Sequence, residues 1–271
     1  MAPMSLRDLK LSLSLSFRSS ALQIFSAVLL IAVVLGTSGA LGAQEAPTGD
    51  RLKQVLGLKP LGNNASVAER EMARVVHEWL TDLSDARKQH DATMAELQPV
   101  LAKLYTPDSF STKEQMQALM DTLNRMQDTD GAMFEKFEHI LEDMRKRFDA
   151  SHLSAKDKID VLEGAQRAYA DSELLELYRE AHSQEKLWVS TSIDLYTFAM
   201  QHGENISIRE GKLTISGAEL VEQFNSKLHN ASALRRQMRA TNKRIGDIRA
   251  EKMKQLGVTN SDLGLPEKST R

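Results

Sequence analysis

Residues 111–148 read STKEQMQALMDTLNRMQDTDGAMFEKFEHILEDMRKRF, and the fold class follows from them. Apolar side chains recur here every three or four residues, which is the spacing of a helix face and of a coiled-coil seam. The repeating positions are Met116, Leu119, Leu123, Met126, Met133, Phe137, Ile140, Met144 and Phe148. The stretch therefore predicts one long helix whose apolar face packs against other helices.

Three further stretches repeat this spacing, at about 66–105, 155–201 and 216–256. Each of the four stretches opens on a capping-box pattern, in which a Ser and an acidic residue three positions later satisfy each other's backbone N–H groups. The four patterns are Ser66 with Glu69, Ser111 with Glu114, Ser154 with Asp157, and Ser216 with Glu219. In the first stretch, Pro99 predicts a kink or a break into two helices.

A different pattern separates the third and fourth stretches. Ile206 and Ile208 alternate with polar residues, and Leu213 and Ile215 do so again beyond a Glu-Gly turn signal. This alternation predicts a short β-hairpin. Four helical stretches and one hairpin predict an all-α fold, an antiparallel four-helix bundle or coiled coil with the hairpin between helices 3 and 4. Because a helix of about 40 residues is about 60 Å long, this bundle is expected to be elongated.

The N-terminus indicates export. Arg7, Lys10 and Arg18 precede an unbroken apolar run at 27–35, and small residues follow at 37–43, where a signal peptidase would cut. The alternative is a retained anchor, because 21–43 is uncharged and just long enough to span a bilayer.

These features divide the chain into four parts. Residues 1–43 are expected to form the signal peptide or membrane anchor, and the Pro- and Gly-containing stretch 44–65 a linker. The helical bundle is expected at 66–257, with the hairpin at about 205–215 and a C-terminal stop at Gly257. A disordered tail is expected at 258–271.

Composition narrows the functional classes. The 271 residues include no cysteine, so a disulfide framework, a thiolate metal site and a cysteine nucleophile are excluded. The formal net charge of −2 gives no electrostatic reason to expect nucleic acid as a partner.

A carboxylate-bridged metal site in a helical bundle requires a Glu three residues before a His on the same helix. The histidines of the predicted helices do not meet this requirement. The residues three before His77, His90, His139 and His182 are all cations, namely Arg74, Arg87, Lys136 and Arg179. Phosphate-loop and nucleophile-elbow patterns are also missing from the sequence. We therefore expect no catalytic residue, no metal, no cofactor and no small-molecule substrate, and interpret the chain as non-enzymatic.

One polar constellation falls on the predicted seams. If the first two helices pair antiparallel about a turn near 108–109, Asp130 faces Arg87, with His90 one helical turn away. A buried carboxylate is costly unless it is paired, so we expect Asp130 to pair with Arg87 or His90. Register specification is the simpler role, and a proton-sensing or ligand-binding role is the alternative.

The fourth helix is strongly basic. A candidate stripe for an anionic surface is formed by Arg235, Arg236, Arg239, Lys243, Arg249 and Lys254. The simpler interpretation is a solvated face that pairs with acidic neighbouring helices. The alternative is contact with lipid headgroups or an acidic polymer outside the cytoplasm.

Taken together, these patterns predict an exported scaffold, spacer or interaction module of the cell envelope or of the extracellular space. Its expected partners are other proteins or further copies of itself, with a membrane surface as another candidate. Two alternatives remain open: a membrane-active helical protein with a β tip, and a ligand-sensing extracytoplasmic helical domain.

Overall fold

The computed structural model describes residues 63, 65–170 and 173–255. The predicted export segment at 1–43 and the predicted tail at 258–271 lie outside this set, as does nearly all of the predicted linker at 44–65. In the described ranges, no helix combines the length and the apolar character needed to cross a membrane.

The described residues are mostly helical, as predicted, and they contain one small antiparallel sheet. The elements in chain order are α1 (Val67–Leu101), α2 (Lys113–Glu138), α3 (Ile140–Ala150), α4 (Ala155–Ala170), α5 (Glu173–Gln201), β1 (Ile206–Arg209), β2 (Lys212–Ile215) and α6 (Ala218–Gln255). A short 3-10 helix at Pro107–Phe110 lies in the connection between α1 and α2.

The predicted second helix is wrong in one detail. It is not continuous, because His139 (φ −90°, ψ 9°) separates α2 from α3. The apolar seam survives the interruption, since Phe137, Ile140 and Phe148 are all buried. In α1, of the kink or break predicted at Pro99, the break does not occur, because the helix continues through the proline and ends at Leu101.

The capping boxes are realised unevenly. At the start of α1, the N–H of Ser66 donates to Glu69 Oε2 and the N–H of Glu69 donates to Ser66 Oγ, at 2.7 and 3.1 Å. At α4, the N–H of Asp157 likewise donates to Ser154 Oγ.

The other two predicted caps are wrong. At α2 the capping oxygen belongs to Thr112, because Ser111 Oγ donates to the carbonyl of Asp108 in the 3-10 helix. At α6 the N–H of Ser216 donates to the carbonyl of Asn205 and so closes the hairpin. Gly217, which directly precedes α6, has φ 103°, a backbone conformation that glycine adopts without steric cost.

The β-hairpin confirms the alternation seen in the sequence. Ile206 pairs with Ile215 and Arg209 with Lys212, which leaves Glu210 and Gly211 as a two-residue turn. Both turn residues have positive φ, 52° and 71°, as a type I′ hairpin turn requires.

The chain divides into two compact units, which we describe separately. The first unit contains His90–Ala132 and Glu180–Thr241, and the second contains 65–89, Met133–Arg179 and 242–255 among the described residues. The first unit has a continuous apolar core whose least accessible members include Leu101, Leu104, Leu123, Trp188 and Tyr196. Buried residues of the second unit include Met72, Val76, Trp79, Met144, Phe148, Val161 and Ala165.

Candidate functional site

The first unit buries ionisable side chains from α1 and α2 against each other. His90 Nε2 lies 2.5 Å from Asp130 Oδ1, and the two side chains are 3% and 12% exposed. When Asp130 is ionised it can only accept, and Nε2 then carries the hydrogen of this bond. His90 is thus a partner of Asp130, one helical turn beyond the position calculated from the sequence.

The shift corresponds to a different centre of the turn. The midpoint between His90 and Asp130 is Phe110, the last residue of the 3-10 helix, whereas the sequence placed it near 108–109. A second contact, in which Arg125 Nη2 donates to Glu96 Oε2 at 2.8 Å, follows the same register. Arg87, the other residue predicted to reach Asp130, is partly buried one turn before His90 on α1 and belongs to the second unit.

A third ionisable residue, Glu185 on α5, completes what we call the acid cluster: His90, Asp130 and Glu185. The Oε1 atom of Glu185 is closed to solvent and lacks a hydrogen-bond partner among the described residues. Burial raises the pKa of Glu185 well above its ordinary value, and the neighbouring Asp130 raises it further through its charge and through a hydrogen bond. Glu185 therefore holds a proton more tightly than an exposed glutamate does.

Asp91 and Lys186 are charged neighbours of the acid cluster. Among the described residues, His90 Nδ1 has no hydrogen-bond partner, and Asp91 Oδ1 lies 3.5 Å from it. Lys186 lowers the pKa of Glu185 through its charge, but burial and Asp130 outweigh this effect. The cluster is thus dominated by two carboxyl groups and one imidazole.

A second buried polar group lies further along α5, which we call the hydroxyl cluster: Tyr105, Ser109, Trp188, Ser192 and Tyr196. Trp188 Nε1 donates to Tyr105 Oη at 2.9 Å, and that hydroxyl also lies 2.5 Å from Ser192 Oγ. Tyr196 Oη accepts the backbone N–H of Tyr105 at 3.0 Å and donates to Ser109 Oγ at 3.2 Å. Burial is the main cause that raises the pKa values of both tyrosines, so both stay neutral hydroxyls at physiological pH.

The hydroxyl cluster fixes an unusual backbone conformation. Tyr105 has φ 64°, in the left-handed region that residues with a side chain adopt only at some cost in free energy. Its N–H has an acceptor in Tyr196, whose ring also stacks on Phe110 at 5.0 Å between centroids. These contacts hold the turn after α1 against α5.

The predicted basic stripe on α6 divides into residues with different surroundings. Arg235 is partly buried, and its guanidinium lies 5.9 Å from the centroid of the Trp188 ring. Burial, followed by repulsion from Arg239, lowers the pKa of Arg235. Arg236 and Arg239 are exposed, and neither forms an ion pair within the part of the chain that the structure describes.

Within the second unit, α6 continues with paired cations. Lys243 Nζ lies 2.7 Å from Asp247, and Arg244 lies 2.5 Å from Glu173 on α5. Lys254 is exposed, whereas the side chain of Arg249 lies outside the described residues. The simpler interpretation, a face paired with acidic residues, thus fits Lys243 and Arg244, whereas Arg236 and Arg239 are left for the alternative.

Among residues 63, 65–170 and 173–255, no group of three or more His, Asp or Glu side chains has a geometry suited to a metal ion. No family model, curated protein sequence or solved structure matches this chain.

Sequence reasoning missed Glu185, although a signal was present. The apolar seam of α5 steps from Ala181 directly to Trp188, and the seam of α2 steps from Met126 directly to Met133. Each of these seven-residue steps omits one apolar seam position. Glu185 lies at or next to the omitted position of α5, and Asp130 lies at or next to that of α2. A seam position skipped in two helices is therefore a usable marker for a buried polar layer.

Proposed function

We propose that the chain is an exported, non-enzymatic helical protein that acts as a scaffold, spacer or interaction module in the cell envelope or outside the cell. The observation that carries the proposal is the length of its amphipathic helices. α1 has 35 residues and α6 has 38, whereas helices of globular proteins average about 10–14 residues. Such helices present long charged faces while their apolar faces are buried.

The arrangement that fits this role is the antiparallel four-helix bundle or coiled coil expected from the sequence. Support comes from the first unit, where α1 contacts α2 through His90 and Asp130, and α5 contacts α6 through Asp194 and Lys227. Export is supported by the basic lead, the apolar run and the small residues of 1–43.

Crosslinking in the native organism tests the proposed role. A photoreactive residue replaces Leu187 or Ile159, two large apolar side chains that are each 55% exposed, and a matched control places it at the exposed Glu222. We expect the chain in the envelope or external fraction, with one discrete adduct from an apolar position and none from the control. A cytosolic chain without adducts, or a purified chain with turnover activity, would contradict the proposal.

A second candidate role, binding to an anionic surface, is favoured by the exposed Arg236 and Arg239. Charge reversal of both should reduce sedimentation of the chain with vesicles rich in anionic lipid at low salt. Reversal of Lys243, which already has Asp247 as a partner, is the matched control. Equal sedimentation of parent and double variant rejects this role.

The membrane-active alternative gains little support from the hairpin. Ser207, Arg209, Glu210 and Lys212 are exposed around its turn. A charged tip of this kind does not favour insertion into hydrocarbon.

A further inference from the structure

We propose that His90, Asp130 and Glu185 form a proton-binding site that makes the packing of α1, α2 and α5 in the first unit depend on pH. Each of these three helices contributes one ionisable group. The inference rests only on contacts inside the first unit, so it stands or falls independently of export and of any partner.

Asp130 contacts both other members of the cluster. Its Oδ1 atom lies 2.5 Å from His90 Nε2, and its carboxyl group hydrogen-bonds to that of Glu185. Two carboxyl groups in hydrogen-bond contact hold one proton between them, because a second negative charge at that distance is strongly unfavourable. Burial and Asp130 raise the pKa of Glu185, and its Oε1 is closed to solvent, so we place the shared proton on Glu185.

Charged and titratable groups surround the shared proton on several helices. α1 supplies His90 and Asp91, α2 supplies Asp130, and α5 supplies Glu185 itself and the exposed Lys186. From α6, Arg235 lies over the ring of Trp188, one turn beyond Glu185 on α5. Loss of the proton would thus leave two adjacent anions with one imidazole as their close partner.

The raised pKa of Glu185 sets the sign of the pH dependence. The pKa of Glu185 in the folded chain lies above the ordinary carboxyl value of 4.5, so the folded state binds the proton more tightly than the unfolded state. Its contribution to stability is complete below pH 4.5 and is lost as pH rises through the folded pKa. Within that window the folding constant falls about tenfold per pH unit.

The structural consequence is local. When the proton leaves, α5 is expected to loosen from α1 and α2 around the cluster, because separation hydrates the two carboxylates. The apolar core around Leu101 and Leu123 contains no carboxyl or imidazole group and should hold the remainder of the unit together.

The test uses the full chain as wild type and as two variants, Glu185→Gln and Glu222→Gln. Glutamine keeps the shape of Glu185 but cannot ionise, and Glu222 is an exposed glutamate of the same unit. Urea unfolding is measured from pH 4 to pH 9. We expect Glu185→Gln to be more stable than wild type at neutral pH and to lose the decline toward high pH, and Glu222→Gln to follow wild type.

Hydrogen exchange gives an independent readout that does not depend on a variant. After correction for intrinsic exchange, amides around His90, Asp130 and Glu185 should lose protection as pH rises in the wild type and keep it in Glu185→Gln. The proposal is overturned if Glu185→Gln has the wild-type slope or lower stability at neutral pH. Protection that is independent of pH in the wild type would overturn it equally.

Discussion

α5 carries two buried polar clusters that solve the same physical problem in different ways. In the hydroxyl cluster, the indole N–H and both tyrosine hydroxyls have partners, and none of these groups is charged at physiological pH. In the acid cluster, which includes Glu185 one turn earlier, the buried atoms His90 Nδ1 and Glu185 Oε1 lack a hydrogen-bond partner among the described residues.

The difference teaches what each cluster contributes. A fully bonded neutral network has one favourable arrangement, so it specifies how α5 packs on the turn after α1. A network of ionisable groups with unpaired atoms has a free energy that depends on proton occupancy. The hydroxyl cluster should therefore be insensitive to pH, whereas the acid cluster should respond to it.

The largest effect should come from breaking the hydroxyl cluster. Tyr196→Phe removes the acceptor of the Tyr105 N–H and leaves that group buried and unpaired at a left-handed residue. We expect the free energy of unfolding to fall by about 1–3 kcal/mol, because a buried donor without a partner bears its full desolvation penalty. Urea unfolding at pH 6 and pH 8 should show the same loss.

Tyr105→Phe is the matched partner for Tyr196→Phe, since it leaves the Trp188 N–H without its acceptor. A double-mutant cycle of the two tyrosines should show coupling of about 0.5–3 kcal/mol if they act as one network. Strictly additive losses would contradict the description of a single cluster.

A smaller effect is expected from Asp130→Asn. His90 then loses a carboxylate acceptor and keeps an amide one, so we expect a loss of about 1 kcal/mol. The variant also removes the carboxyl group that helps to raise the pKa of Glu185, so the decline in stability should end at a lower pH and be smaller in total. Unfolding curves from pH 4 to pH 9 measure both quantities.

Asp128→Asn is the control for Asp130→Asn, because Asp128 is exposed two residues earlier on the same helix. It should behave like wild type throughout. A pH profile of Asp130→Asn that superimposes on wild type would show that Asp130 does not influence Glu185.

The smallest effect is expected at Glu71, a carboxylate of the second unit whose pKa is shifted in the opposite direction to that of Glu185. Glu71 accepts two bonds from Arg74 and the backbone N–H of His152, which together hold its pKa at about 2. Its folded pKa is depressed, so its stabilising contribution is present above pH 4.5 and is lost as pH falls toward 2. Because solvent screens this site, we expect Glu71→Gln to lose about 0.5–1 kcal/mol at pH 7.

Glu78→Gln provides the matched control, since Glu78 binds the same arginine from an exposed position. We expect it to lose less stability than Glu71→Gln in thermal unfolding at pH 7. The two glutamates Glu71 and Glu185 should then move stability in opposite directions with pH. A single shared trend would refute that contrast.

Local sequence rules predicted the elements well where the signal lies within one element. The three-and-four spacing located the buried seam even where His139 interrupts it, because burial depends on the face of each residue rather than on unbroken helix geometry. The Glu210-Gly211 signal predicted the correct turn because two-residue hairpins favour turns with positive φ, which glycine adopts readily. Caps at Ser111 and Ser216 failed because neighbouring 3-10 and hairpin contacts recruit those residues.

The candidate site could be predicted only in part. Asp130 and His90 stood out as polar residues on apolar seams, but which residue faces Asp130 depends on the length of the turn, which a seam pattern does not encode. Glu185 lies on a helix about 50 residues after Asp130 in sequence. Periodicity alone does not predict which residues of two helices so far apart in sequence lie side by side. The hydroxyl cluster likewise depends on Tyr105 adopting a backbone conformation that no local motif signals.

The indole of Trp188 gives the first unit an intrinsic optical reporter. It lies one turn beyond Glu185, it is completely enclosed, and its N–H is bonded to a tyrosine hydroxyl. Any loosening of α5 that admits water should shift its emission to longer wavelength, so a rapid pH jump followed by fluorescence would time the event without an added label. The other tryptophan, Trp79, belongs to the second unit and supplies an internal reference.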